Sequence, residues 1–496
     1  LSIHAGNYHQ IFQDGLEYNL SLAEKYGGAV KIYALLGNEQ LYVSDPRALH
    51  HIVVKEQDVY EETDMFIIGN RLIFGEGLIS TLGEQHRKQR KMLNPVFSMG
   101  NMRELLPTIQ PIASQLCAVI TSQLPNPKEI DLLPLISRGA LEYVAQAVLG
   151  YSFGALDSSE TVEYAEAIRS FTPAALRLVF LRPFIPFIVR KFSLYWRNKM
   201  VAWIPVKPLK DLKRIVEVMD RSSRAIFEQK KASVGDHADD ITVYPATIKD
   251  SAFGKRTKGR DIMSIMSMSV HYHLDFFMLQ SRYFHSARQC LIVRDAELPY
   301  DVLMGLPFLD AVIRETLRVH PPTNVLSRTA RKATTLPLQY PIRSSSGTKI
   351  NAIPVPKNTT VIVSILAANH NPKVWGEDAS VWKPERWLAA SGEHASGTRA
   401  DVKYPGVYGS MMTFLGGGRA CIGFKFAEME MKQVMATLLT VVHFSLPSTP
   451  DETGHIKEIY WKTNAVQVPV VRPPSGDGQT PQVPLDVRLV REDDYL

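Results

Sequence analysis

One stretch constrains this chain more than any other: "TFLGGGRACIGFKFAEMEMK", residues 413–432. Three consecutive glycines and Arg419 lead to a lone thiol, Cys421, directly before an amphipathic run. Ala427, Met431, Val434, Met435, Leu438, Val441 and Val442 fall on one stripe at helical spacing. That spacing predicts a helix starting just after Cys421, with Glu428 and Lys432 four apart on its outer face and able to pair. A cysteine at such a place feels the positive end of the helix dipole and nearby unpaired N–H groups, which favour the thiolate. The plain alternative is a small buried thiol on a turn.

Several chemistries are excluded by what surrounds the glycines. A phosphate loop needs a Lys-Ser/Thr pair after them, and none follows. A dinucleotide fingerprint needs different glycine spacing and a preceding apolar strand. A structural metal site needs further Cys or His close in sequence, which are absent. A lone thiolate beside an arginine suits a ligand with one open axial position and negative peripheral groups. Haem has both, in its iron and its two propionates.

The stretch resembles the haem-binding loop of the cytochrome P450 superfamily, Phe-x-x-Gly-x-Arg-x-Cys-x-Gly, and Phe414, Gly417, Arg419, Cys421 and Gly423 match every fixed position. The resemblance implies that Cys421 is the axial ligand of haem b (iron protoporphyrin IX) and that Arg419 is a propionate partner. It also implies that Phe414 packs beside the thiolate and that Gly423 lets the helix approach the porphyrin.

Three further motifs are weak alone and stronger in order. "RETLRVHPP" and "VWKPERW" resemble the family's Glu-x-x-Arg and Pro-Glu-Arg motifs. By that resemblance Glu315, Arg318 and Arg386 form a buried structural ion cluster behind the haem. Such a cluster holds only if every charge is paired. In "GEQHRKQRKMLNPVF", His86 stands where the family has tryptophan and Arg90 is in place, so both are expected at a propionate; imidazole can donate the same hydrogen bond. Arg328 matches a further propionate arginine. Arg87, Lys88, Lys91 and Lys425 read either as a basic face for an acidic reductase or as ordinary solvated surface. Val325 and Leu326, after the Glu-x-x-Arg helix, are expected to look into a substrate pocket.

The resemblance covers most of residues 20–230 and 295–470 and is closest to fungal microsomal members. It implies a mainly α fold with a small β-sheet portion (α+β), the cytochrome P450 fold with its distal helix region altered. One haem-thiolate domain over 1–496 is expected, with a sheet-rich part at 1–80, a helical part at 81–230 and an atypical segment at 231–300. The haem-binding core and C-terminal loops then fill 301–496. Two strands around Gly37-Asn38 lead to a helix capped by Ser44 or Asp45 with Pro46 first. From about Gln85 to Phe192 the pattern is helical with prolines as punctuation, and 230–260 reads as a surface loop. The 300–320 helix stops at Pro321 and Pro322, β-branched runs follow as a small sheet, and the tail is loop-rich.

The three cysteines, Cys117, Cys290 and Cys421, are too few and too far apart for a disulfide framework and fit a reducing compartment. A net charge of +6 argues for no nucleic-acid partner. No run of about 18 apolar residues is present. "LRLVFLRPFIPFIVRKF", residues 176–192, reads equally as a loop buried between helices or as a segment inserting shallowly into a membrane surface.

One region breaks the resemblance. The family's distal helix bears Ala/Gly-Gly-x-Asp/Glu-Thr-Thr, whose acid and alcohol deliver protons during oxygen activation, and no such motif is present. Thr334-Thr335 and Thr359-Thr360 lie in the wrong part of the fold. Met268 to Arg294 is unlike the family, and the interval before Glu315 is short for a helix of about 30 residues and its neighbours. A splice difference or gene-model change accounts for this segment, with "DDITVYPATIKDSAFGKR" as a second intrusion. His271, His273 and His285 lack a further ligand at sensible spacing, and Cys290 has no partner.

The resemblance implies a monomeric monooxygenase that inserts one atom of O₂ into a lipophilic small molecule. Electrons come from NADPH through a cytochrome reductase, at the cytosolic face of the endoplasmic-reticulum membrane. The alternatives are a haem-thiolate isomerase or dehydratase without oxygen activation, and a catalytically impaired haem binder.

Overall fold

The β-branched runs near the start pair as β1 (Ala29–Tyr33) and β2 (Glu39–Val43), antiparallel from Ala29 opposite Val43 to Tyr33 opposite Glu39. A short 3-10 turn, Leu35–Gly37, joins them, and Gly37 supplies the positive φ of +75°. The next helix starts at Pro46, and Asp45 caps it by accepting from the Ala48 N–H at 3.0 Å. This computed structural model describes residues 6–124, 129–157, 163–236, 297–388, 402–463 and 466–491. The segment Met268–Arg294, the stretch 239–256, the three histidines and Cys290 lie outside the described residues.

The chain separates into two compact units. The first comprises residues 1–61, 117–134 and 275–496. Its main sheet has the order β1-β2-β8-β5-β3, with β3 at Tyr60–Glu62, β5 at Val325–Ala330 and β8 at Thr360–Ser364. β2 runs parallel to β8, and β5 runs antiparallel to it. One side of this sheet closes a core of Ile11, Leu22, Ile32, Tyr42, Val325 and Ile362. A hairpin of β6 (Thr334–Arg343) and β7 (Lys349–Val355) lies between β5 and β8 in sequence.

The tail was expected to be loop-rich, yet it carries β9 (Val442–Ser445), β10 (Ile459–Thr463), β11 (Gln467–Val471) and β12 (Pro484–Leu489). β12 is sandwiched between β9 and β4 (Glu129–Asp131), so these strands depend on partners remote in sequence. Two helices of this unit matter most for the site: Pro307–Val319, and Phe424–Val441 after Cys421. The first stops before Pro321, as the dipeptide requires.

The second unit, residues 62–116 and 135–274, is helical over its described residues. Its core joins Phe74, Leu141, Leu149, Tyr164, Ile215 and Met219 with smaller neighbours. Prolines do not punctuate it everywhere. The Met99–Thr121 helix runs through Pro107 and Pro111, because Met102, Leu106, Ile109, Ala113, Leu116 and Ile120 all bury one stripe. That apolar burial outweighs the hydrogen bonds lost at the two rings. The Lys207–Asp236 helix also continues past residue 230, where a loop was expected.

Candidate functional site

The glycines of the cysteine loop answer two local demands. Gly417 has φ +68°, and a Cβ there would lie 1.9 Å from the Val53 carbonyl oxygen. A Cβ on Gly416 would lie 1.9 Å from the Pro405 oxygen. The loop can therefore press against two stretches of backbone only without side chains. Gly418 donates its N–H to Gln57 Oε1 at 2.7 Å, and the Cys421 N–H closes the turn on the Phe414 carbonyl at 2.9 Å. Gly423 then serves as N-cap of the Phe424–Val441 helix. Cys421 and Arg419 are partly exposed, so the thiol is not sealed in a core.

The structure brings Glu315, Arg318 and Arg386 together. Glu315 Oε1 accepts from Arg318 Nη2 at 2.8 Å and from Arg386 Nε at 3.3 Å. The Lys383 N–H reaches the same oxygen at 3.0 Å, and Trp387 Nε1 reaches Oε2 at 2.9 Å. Burial alone would raise the Glu315 carboxyl, but Arg318 and Arg386 hold it below the usual carboxylate range. Arg318 spends its remaining donors on the carbonyls of Asn369 at 2.7 Å and Ala379 at 2.6 Å. Asn369 in turn accepts the Met412 N–H at 2.8 Å and donates to Thr413 Oγ1 at 2.8 Å. The ion cluster is thus wired to the two residues preceding Phe414.

Arg328 is buried on β5 and donates to the Ser327 carbonyl at 3.1 Å. Strand alternation puts Leu326 on the Arg328 face and turns Val325 to the other, where it packs into the N-terminal core. Val325 and Leu326 therefore face opposite sides of β5. In the second unit, His86 is buried and Arg90 half-buried on the Gly83–Leu93 helix. Arg87 and Lys88 are exposed on that helix near Glu84.

The cytochrome P450 family pattern matches residues 4–470. The chain belongs to the cytochrome P450 family. Cytochrome P450 monooxygenase 91 of Postia placenta is 40% identical over 518 residues, covering 99% of this chain and 93% of that protein. Ganoderic acid synthetase CYP5150L8 of Ganoderma lucidum is 32% identical, covering 95% and 89%. A crystal structure of a cytochrome P450 (CYP102L1) shares the fold with a TM-score of 0.69 at 18% identity, over 96% of this chain and 95% of that one. The fold is accordingly the mixed α+β fold of the P450s, and the chain is an oxidoreductase of the oxygen-incorporating class.

In this P450 some residues escaped the sequence reading. Asp378 accepts from Arg386 Nη1 at 3.0 Å, and Arg386 with Lys383 draws its carboxyl down to about 2 against the opposing effect of burial. Its position eight residues before Arg386 is the one signal that pointed to it. Glu428 and Lys432 do pair, at 3.1 Å, but both are buried rather than on an outer face. The reason is that the P450 helix from Phe426 to Leu439 is covered all round. A stripe of apolar residues identifies one buried face and is silent on a second.

Proposed function

We propose that this chain is a haem-thiolate monooxygenase acting on a lipophilic organic substrate, with Cys421 as the iron ligand. The observation that carries it is a partly exposed thiol on a glycine turn, fastened by its own N–H and placed at the mouth of a helix. The residues fit the group: a thiol, Arg419 and the buried Arg328 in the same unit supply one soft ligand and two guanidiniums for a dianionic macrocycle. His86 and Arg90 carry the same propionate expectation from the sequence pattern alone. When bound, thiolate-ligated haem supplies O₂ activation and oxygen transfer.

This chain's own residues hold and orient. The glycine turn presents Cys421 just before the N-terminus of the Phe424–Val441 helix, and the Glu315–Arg318–Arg386 cluster fixes the stretch leading to Phe414. Leu326, half-buried on the Arg328 face, is the substrate-side candidate. Electrons are proposed to come from NADPH through a flavoprotein reductase, for which exposed Arg87, Lys88 and Lys91 are a basic docking surface. The chain is taken as a monomer.

Association with the cytosolic face of the endoplasmic-reticulum membrane is proposed too. None of the helices among the described residues is long and apolar enough to cross a bilayer. The support is instead a set of exposed apolar side chains: Leu181, Phe184, Phe187, Phe192, Leu194 and Trp203. They lie beside Arg190 and Lys191 in sequence, the composition of a segment that lies in a lipid interface.

A second reading, a haem-thiolate isomerase or dehydratase, is favoured by one observation: the acid–alcohol motif is absent from the sequence. The aligned stretch with the Postia placenta relative, 518 residues, also exceeds the 496 of this chain, so that relative has residues this chain lacks. One experiment separates the readings. Purified chain is reduced, treated with carbon monoxide and examined for the long-wavelength Soret band of thiolate-ligated haem. NADPH consumption with reductase is then compared with turnover of a hydroperoxide. A band with NADPH-driven product supports the monooxygenase, hydroperoxide turnover alone the second reading, and no band a failed haem site.

A further inference from the structure

The buried charges of the cysteine helix have partners that the ion cluster does not use. Lys432 Nζ lies 2.8 Å from Asp310 Oδ1 and 3.1 Å from Glu428 Oε1, and donates to the Met304 carbonyl at 3.0 Å. Asp310 Oδ2 accepts from Arg314 Nε at 2.6 Å. Two cations and two carboxylates therefore alternate across the contact between the Pro307–Val319 and Phe424–Val441 helices. A balanced set of this kind tolerates burial because each charge faces an opposite one.

Arg314 stands at the end of that row and also at the edge of an aromatic group. Its guanidinium carbon is 4.8 Å from the Tyr408 ring centre and 5.8 Å from that of Trp387. The Tyr408 ring meets Phe414 edge-on at 5.6 Å and lies 6.4 Å from Phe424, while Phe414 and Phe424 are 6.1 Å apart. Phe414 and Phe424 bracket Cys421 in sequence, and Cys421 is hydrogen-bonded to the Phe414 carbonyl. Trp387, the other ring under Arg314, donates to Glu315. One guanidinium thus joins the carboxylate row to two rings, of which Trp387 donates to the ion cluster and Tyr408 packs on the two phenylalanines that bracket Cys421.

We propose that Arg314 is a positioning residue of the cysteine loop, holding the Tyr408 ring so that Phe414 and Phe424 fix the loop between them. The proposal rests on the haem-thiolate reading and assigns Arg314 no contact with haem or substrate. The planar guanidinium matters as well as the charge: an ammonium can keep the bond to Asp310 but cannot stack on two rings. The buried Tyr408 hydroxyl faces the Glu428 and Asp310 carboxylates of the same row, so Tyr408→Phe removes that contact and leaves the ring in place.

The test uses purified holoprotein and the carbon-monoxide spectrum of the reduced form, reading the ratio of short-wavelength to long-wavelength Soret band, together with the haem reduction potential. Arg314→Lys and Tyr408→Ala are each expected to raise that ratio about threefold, the scale of losing one cation–π contact. Their combination is expected to add little to either alone. Tyr408→Phe is expected to match the parent. Arg314→Lys keeps the ion pair, so it is the variant that separates loop positioning from general stability; its unfolding midpoint is measured alongside. Unchanged ratio and potential in Arg314→Lys and Tyr408→Ala overturn the proposal, as do fully additive effects. A parent protein with no long-wavelength band overturns the haem-thiolate reading instead.

Discussion

Glu315 and Arg318 form a two-pronged ion pair from adjacent turns of one helix, Nε to Oε2 at 2.9 Å and Nη2 to Oε1 at 2.8 Å, with neither side chain exposed. Removing two charges from water costs several kcal/mol each, so the pair stands only because its remaining hydrogen-bond sites are met. Carbonyls of Asn369 and Ala379 meet them for Arg318, and Lys383, Arg386 and Trp387 meet them for Glu315.

Breaking that arrangement from one side is expected to be costly. Glu315→Gln leaves Arg318 charged and buried, and a loss of about 3–5 kcal/mol in folding stability follows. Arg318→Lys is expected to recover little, since one ammonium cannot span two carboxylate oxygens and two carbonyls. Urea unfolding checks both. A loss below about 1 kcal/mol in Glu315→Gln would mean the cluster does not hold this part of the fold.

A pH effect follows from His370, buried next to the cluster with its Nδ1 2.9 Å from the Leu366 carbonyl. Burial first, and then the Arg318 charge, push its pKa down from 6.5 to about 4. Between those values the unfolded chain binds a proton that the folded chain refuses. Stability therefore falls as pH drops through that window, by up to about 3 kcal/mol. Asp378, drawn down to about 2, adds a further loss once pH falls below its ordinary value of 3.8. Urea midpoints at several pH values between about 7 and 4 should show the decline, and His370→Asn should flatten it. An equal slope in both proteins would remove His370 as the cause.

The cysteine loop was legible because its chemistry is compressed into ten residues whose spacing has few other uses. Glu315, Arg318 and Arg386 could be named only by resemblance, since charged pairs at helical spacing are usually solvated. Asp378 was marked only by its closeness to Arg386, and the roles of Trp387 and Arg314 could not be read, because Glu315 for the one and the Tyr408 and Trp387 rings for the other lie on other elements. Tail strands β9 and β12 were missed for the same reason, since short strands that lean on distant partners have no periodicity of their own, whereas β10 and β11 pair with each other and are too short to show one. Glu428 and Lys432 were assigned to the wrong environment, as a helix covered on every side shows only its most apolar stripe.

The exposed aromatic segment makes a separate prediction. Phe184, Phe187, Tyr195, Trp196 and Trp203 are 56%, 60%, 63%, 57% and 80% exposed, and none of the residues of the Leu194–Trp203 helix is buried. Rings of this kind settle at the lipid interface, and neighbouring Arg190 and Lys191 favour anionic headgroups. Co-sedimentation with anionic vesicles is expected, weakened by added salt. Trp203→Ser with Phe187→Ser should reduce it about tenfold or more, on the scale of two buried side chains. Equal binding by the double variant would rule this segment out as the contact.

Gly417 allows the demands of the cysteine loop to be separated into strain and space. Gly347 shares a left-handed backbone, with φ +83°, but a Cβ there would meet nothing within 4 Å. Gly347→Ala therefore tests strain alone and is expected to cost about 1 kcal/mol. In Gly417→Ala the same strain is joined by a methyl aimed at the Val53 carbonyl oxygen, a rigid backbone atom that cannot rotate away. The loop must shift to admit it, so a loss of more than about 2 kcal/mol is expected. Haem retention should fall in Gly417→Ala and stay at the parent level in Gly347→Ala. Thermal unfolding and absorbance of the purified proteins give both quantities. If the two variants lost equal stability and both kept their haem, the close approach to Val53 would not be what fixes the thiol's position.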